Sequence, residues 1–235
     1  MATRLENVVN KLTEPPLKEL LKGRTAEQQS VIKYFKKPSG CFSKNISDQD
    51  YDALVQTKVE SMNFRQKALD KIGLDESQVN EIEPVHFENF YGVGMNRESN
   101  KDRYWPSYLW VKEGTDRKLR TNAYQISWLF FSDKQVYVYQ YTMNLNEDGK
   151  NERTEEYFYK DITNFSTISE SAEQEKNIQK KGCLGGKIIV SRKTLDTDRF
   201  ALIVPGDKFF CELVKNDYSE SRIQAMKAKL REKKG

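Results

Sequence analysis

The stretch NAYQISWLFFSDKQVYVYQYTM, residues 122–143, limits the fold more than any other part of the chain. It is two runs of β-branched and aromatic residues joined at Asp133–Lys134, the pattern of a β-hairpin. Side chains alternate across a strand, so Val136, Val138 and Gln140 face one way and Tyr137, Tyr139 and Tyr141 the other. In the partner run Ile126, Trp128 and Phe130 share one face, and Leu129 and Phe131 lie opposite. Rings on one face meet across the pair, and burying one ring stabilises by about 1.5–3 kcal/mol, which favours a core with one face left open. The tyrosine row has two readings. Either other elements of the chain cover it, or it is an aromatic surface that grips a partner, each hydroxyl seeking water or a hydrogen-bond acceptor.

The residues before Pro84 follow a helical period instead. Leu5, Val8, Val9 and Leu12 fall on one helix face. A short helix carries Leu17, Leu20 and Leu21, and Gly23 ends it. Thr25 with Gln28 forms a capping box ahead of Val31, Ile32 and Phe35. One long helix is expected from Ser47 to Gly73, with a stripe of Tyr51, Val55, Val59, Met62, Leu69 and Ile72. We expect residues 1–83 to be a helical N-terminal segment.

Strand-like runs take over after Pro84. VHFENFYGVG and YLWVKE come first, followed by runs at 122–132, 135–143, 153–160, 162–169, 186–193, 198–204 and 208–214. The charged stretch SESAEQEKNIQKK between the fourth and fifth of those seven reads as a helical turn or a loop. Ile223, Met226 and Leu230 mark a terminal amphipathic helix, capped by Ser219 or Ser221. The expected class is α+β, with residues 84–235 forming a β domain closed by that helix.

Composition narrows the function. Aromatics reach 11%, which argues against a disordered chain. Cations number 39 against 35 anions, a mixed solvated surface rather than the clustered excess of a nucleic-acid binder. Cys41, Cys183 and Cys211 are odd in number and far apart, as in a reducing compartment. With no signal-like start and no run long enough to span a bilayer, we expect a cytoplasmic protein.

FFSDKQVYVYQY, EYFYKDITNFSTI, KIIVSRK, RFALIVP and the final helix, within residues 122–232, together resemble the bacterial pleckstrin-homology-like (PH-like) and GRAM-like domains. In those, a strand, a tight turn and a second strand precede a y-x-d-I-t-x-f segment, here Tyr159 to Phe165. The resemblance implies a bent antiparallel barrel stoppered at one end by Ile223, Met226 and Leu230. Residues 58–235 also resemble an uncharacterised bacterial family through NFRQKALDKIGLDESQVNEIEPVHFENF, which implies no activity. Phosphoinositide-binding relatives set spaced cations around the first hairpin. Here its turn, SDKQ, offers only Lys134. Other relatives use the fold to bind peptides or to assemble.

No motif for catalysis emerges. His86 is the lone histidine, and no cysteines share a C-x-x-C spacing, so neither a zinc site nor another cofactor site is expected. GCLGGK lacks the spacing of a phosphate loop and leads into a strand. DQDYD opens like a calcium loop, but Ala53 and Val59 stand where glycine and glutamate are required. Glu155 and Glu156 are strand neighbours and point to opposite faces.

The expectation is therefore a non-catalytic interaction or scaffold module for a protein or peptide, with self-association as a further use of such a fold. Tyr137, Tyr139, Tyr141, Trp105 and Trp110 are the candidate contact surface. The alternative partner is an anionic membrane lipid, met by Lys227, Lys229, Arg231, Lys233 and Lys234 on the last helix; no nucleic acid is expected.

Overall fold

A computed structural model describes residues 15–36, 46–92, 108–182 and 185–234, the side chains of 170–197 excepted. The expected helix at 5–12 and the residues Cys41, Trp105 and Cys183 lie outside the described residues.

Among the described residues four α-helices come first: α1 (Leu17–Leu20), α2 (Ala26–Phe35), α3 (Asp48–Ser61) and α4 (Phe64–Ile72). Thr25 and Gln28 form the expected capping box, and Ser47 with Asp50 forms a second. The single helix expected over 47–73 is two helices. Asn63 breaks it at φ 43°, a left-handed conformation that asparagine tolerates better than most residues. Gly73 ends α4 in the same region at φ 72°.

Among the described residues nine strands and one α-helix follow. β1 (Val85–Phe90), β4 (Ala123–Phe131), β5 (Gln135–Asn144) and β6 (Lys150–Phe158) make an antiparallel sheet in the order β1-β4-β5-β6. β2 (Val111–Glu113) and β3 (Leu119–Thr121) form a small hairpin between β1 and β4 in sequence. β7 (Asn164–Gly182), β8 (Gly185–Val204) and β9 (Asp207–Leu213) form a three-stranded sheet. Helix α5 (Asp217–Lys234) ends the chain. Its cap is Asn216, whose side chain accepts from the Ser219 amide at 2.9 Å, so the expected cap at Ser219 or Ser221 moves upstream to the residue just ahead of the helix.

The hairpin register places Phe131 opposite Val136 and Trp128 opposite Tyr139, so the faces read from the sequence are the faces that pack. On one face Leu129, Phe131, Val136 and Val138 join Val85 and Phe87 of β1. They meet Phe165, Phe200, Leu202, Phe209 and Cys211 of the second sheet, and Ile223, Met226 and Leu230 close the cluster. On the other face Ile126, Phe130, Tyr139, Tyr141 and Met143 pack against Tyr51, Val55, Phe64 and Leu69 of the helices. The sheet is thus the middle layer of three.

The closed barrel is corrected to an open pair of facing sheets. Among the described residues β6 pairs only with β5, and β7 only with β8. The chain crosses between the sheets at Tyr159–Thr163, where buried Ile162 fills the corner and the Thr163 amide bonds Ile203 O at 2.7 Å. A second correction concerns the charged stretch after Ser169. It is neither helical turn nor loop but the outer half of β7, paired residue by residue with β8 up to Gly182 opposite Gly185.

Candidate functional site

A concavity rich in charged side chains lies where the first turn of α3 meets the β2–β3 hairpin. It encloses about 580 Å3 and is lined by Ser47, Asp48, Asp52, Lys112, Thr115, Asp116 and Arg120, among others. Two local features build it. The Ser47 cap starts α3 so that Asp48 and Asp52 stand one turn apart on the same side. The turn at Gly114–Lys118 brings Thr115 and Asp116 back toward them, with Gly114 N bonded to Lys118 O at 2.9 Å. A side chain at Gly114 would collide with this cluster, since a Cβ there would lie 2.6 Å from Asp116 Oδ1 and 2.9 Å from Asp48 Oδ2.

Arg120 is the centre. Its side chain is 2% exposed and forks onto two carboxylates. Nε and Nη2 donate to Asp52 at 2.6 Å each, and Nη1 and Nη2 donate to Asp116 at 2.8 Å each. Such bidentate pairs are the strong form of the ionic hydrogen bond. The hydrogen bonds from Arg120 hold the Asp116 carboxyl well below the usual carboxylate range. Asp48 accepts from Tyr34 OH at 2.8 Å and from the Thr115 amide and hydroxyl at 2.7 and 2.8 Å. The Thr115 amide is the largest influence that lowers its pKa. Lys112 sits 3.6 Å over the Tyr34 ring, and burial pulls its pKa down.

The geometry of this cluster is that of a clamp. Thr115 touches a carboxylate, as a nucleophile touches its base, but a carboxylate of depressed pKa is a poor acceptor for a hydroxyl proton. Arg120 already spends its fork on this chain's own acids. The cluster clamps the hairpin to α3, helped by Tyr51 OH, which donates to Thr121 O at 2.7 Å. Among the described residues no group of three His, Cys, Asp or Glu side chains could hold a metal ion. A second groove, lined by Gln66, Asp70, Asp75 and Glu76 among others, is shallow; Asp75 and Gln78 there are spent capping a single 3-10 turn.

The candidate surface residues scatter. Tyr139 and Tyr141 are buried under α3 and α4; Tyr141 packs 5.1 Å from the Phe64 ring, and Tyr139 OH bonds Glu152 at 2.8 Å. The chain's own helices therefore occupy the face that could have gripped a partner. Tyr137 is half-buried at the rim of that layer. Trp110 is buried beside Phe35, with Lys36 over its ring. On α5, Lys229 and Lys233 reach Glu81 at 2.6 and 3.4 Å and so tie the helix to the segment before β1. Lys227 is half-buried, and Arg231 and Lys234 are exposed. His86 stacks on Trp128 at 4.8 Å, and buried Cys211 belongs to the core between the sheets.

Sequence reasoning missed Arg120, because one arginine in RKLRT carries no periodic or spacing signal. Nor does DQDYD, which only imitates the start of a calcium loop, signal that two of its acids receive a hairpin distant in sequence. No described helix is long and apolar enough to cross a membrane. No family model, curated protein or solved structure matches the chain.

Proposed function

We propose that the chain is a non-catalytic interaction module: a three-layer body that presents the β7–β8 ribbon to a protein or peptide. One observation carries this reading. β9 pairs with β8 only over 198–204, whereas β7 and β8 go on pairing with each other from Glu170–Thr197 out to Gly182–Gly185. These 13 residue pairs form a two-stranded ribbon about 40 Å long with no third strand among the described residues. Ribbon edges expose unpaired backbone donors and acceptors, which a strand of a partner, or of a second copy, completes.

The body supports binding over chemistry. Both faces of the middle sheet are packed by the chain itself, and the polar cleft is satisfied internally. The order of strands supports the PH-like reading: four strands, then three, then a helix against the core between them. The first of the seven is β1, upstream of where the sequence resemblance begins. A cytoplasmic location remains part of this reading, on the strength of the dispersed cysteines.

Site-specific photo-crosslinking in cells tests it. A photoreactive residue at Gln174, mid-ribbon, should yield discrete protein adducts, and one at exposed Ala228 on α5 should not. No protein adduct at position 174, or the same adducts from both positions, would refute the reading.

A further inference from the structure

The cations of this chain are unevenly placed. From Lys176 to Lys193 there are six, Lys176, Lys180, Lys181, Lys187, Arg192 and Lys193, and no acid. With 39 cations and 35 anions in all, the rest of the chain carries two more anions than cations. The ribbon's base is acidic, with Glu170, Glu173, Glu175, Asp196 and Asp198. The strand register folds the basic run onto itself. Lys180 stands opposite Lys187, with Lys181 beside it, so three of the six gather at the outer end; nearer the middle Lys176 pairs with Ser191, Arg192 with Glu175 and Lys193 with Gln174. Like charges set opposite each other weaken a strand pair. Ribbon stability therefore explains Arg192, which stands opposite Glu175, but not the three cations at the outer end, whereas a polyanionic partner does.

Composition selects among polyanions. Ile178 stands opposite Ile189, and Ile188 and Val190 flank that pair, so aliphatic residues interleave with the cations. No aromatic residue occurs between Phe165 and Phe200, so the ribbon has no ring on which a nucleic-acid base could stack. Cations mixed with aliphatics suit a bilayer interface, where lipid head groups meet the cations and the acyl border receives the aliphatics. We propose that the outer end of the β7–β8 ribbon docks on an anionic lipid bilayer. This goes beyond protein binding but rests on the same presented ribbon. It also moves the lipid contact away from α5, where Lys229 and Lys233 are engaged by Glu81.

Vesicle flotation of the full chain tests the proposal. The probes are phosphatidylcholine vesicles, the same vesicles with phosphatidylserine added, and a double-stranded DNA oligonucleotide in a parallel retention assay. The chain should float with the serine lipid at low salt, be released at high salt, and ignore phosphatidylcholine alone. Replacing Lys180, Lys181 and Lys187 with Glu should lower the partition coefficient on the order of 100-fold. Replacing Lys227, Arg231 and Lys234 with Glu on α5 should change it less than about threefold. Both variants should keep the wild-type circular dichroism, which excludes loss of fold as the cause. No flotation with the serine lipid, equal flotation of the ribbon variant, or DNA retention without flotation would overturn the proposal. Protein adducts at position 174 in that event would leave the protein-binding reading standing, so the two failures are distinguishable.

Discussion

Replacing Arg120 with Met removes the charge at the centre of the α3–hairpin clamp and keeps most of the side-chain volume. Four charge-assisted hydrogen bonds of 2.6–2.8 Å disappear. Breaking a buried ion pair costs about 3–5 kcal/mol when the abandoned charge stays buried. Asp52 and Asp116 are 43% and 39% exposed, so water partly replaces the guanidinium. The expected loss is therefore about 2–3 kcal/mol. Urea unfolding followed by tryptophan fluorescence measures it, as a lower midpoint at unchanged slope. The pH dependence gives an independent check. Asp116 is depressed in the folded state, so its contribution is complete above the ordinary carboxylate pKa of about 3.9 and fades only as pH falls through the depressed folded value. The gap between wild type and variant should be full at neutral pH and narrow only below about pH 4. A variant within about 0.5 kcal/mol of wild type at neutral pH, or a gap that widens in acid, would refute the clamp.

Three further outcomes are expected. Met226→Ala leaves a hole where α5 meets the inter-sheet core and should cost about 2–4 kcal/mol in urea unfolding. Tyr51→Phe should cost about 1–2 kcal/mol, because it strips the donor from buried Thr121 O while leaving the ring stack on Tyr34 intact; a neutral result would show that another donor reaches that oxygen. Gly114→Ala should lower the thermal midpoint by pushing the Asp48 and Asp116 carboxylates apart, and Arg120→Met should abolish most of that effect in a double-mutant cycle.

Period and punctuation made much of the fold legible. The switch from a 3.6-residue to a 2-residue period at Pro84 divided helices from strands. The alternation in Gln135–Asn144 assigned the two sheet faces that pack as separate cores. Thr25, Ser47 and Gly73 announced helix ends because capping chemistry is local. What failed depends on distant partners. SESAEQEKNIQKK has the composition of a helix or a loop, and only its pairing with residues 186–198 makes it a strand. The tyrosine row could be read as a core or as a grip, because alternation fixes which residues share a face but not what covers them. Arg120 was silent because its partners arrive from positions 52 and 116, one of them 68 residues away.

The account's central claim is that the chain's own helices cover the aromatic face of β4–β5, which leaves the ribbon as the presented element. Nuclear Overhauser spectroscopy on the full chain tests this most directly, through the rings of Phe64 and Tyr141, whose centres lie 5.1 Å apart. The account predicts strong ring-to-ring cross-peaks between them. Their absence, with Tyr141 ring protons exchanging magnetisation with water instead, would contradict it.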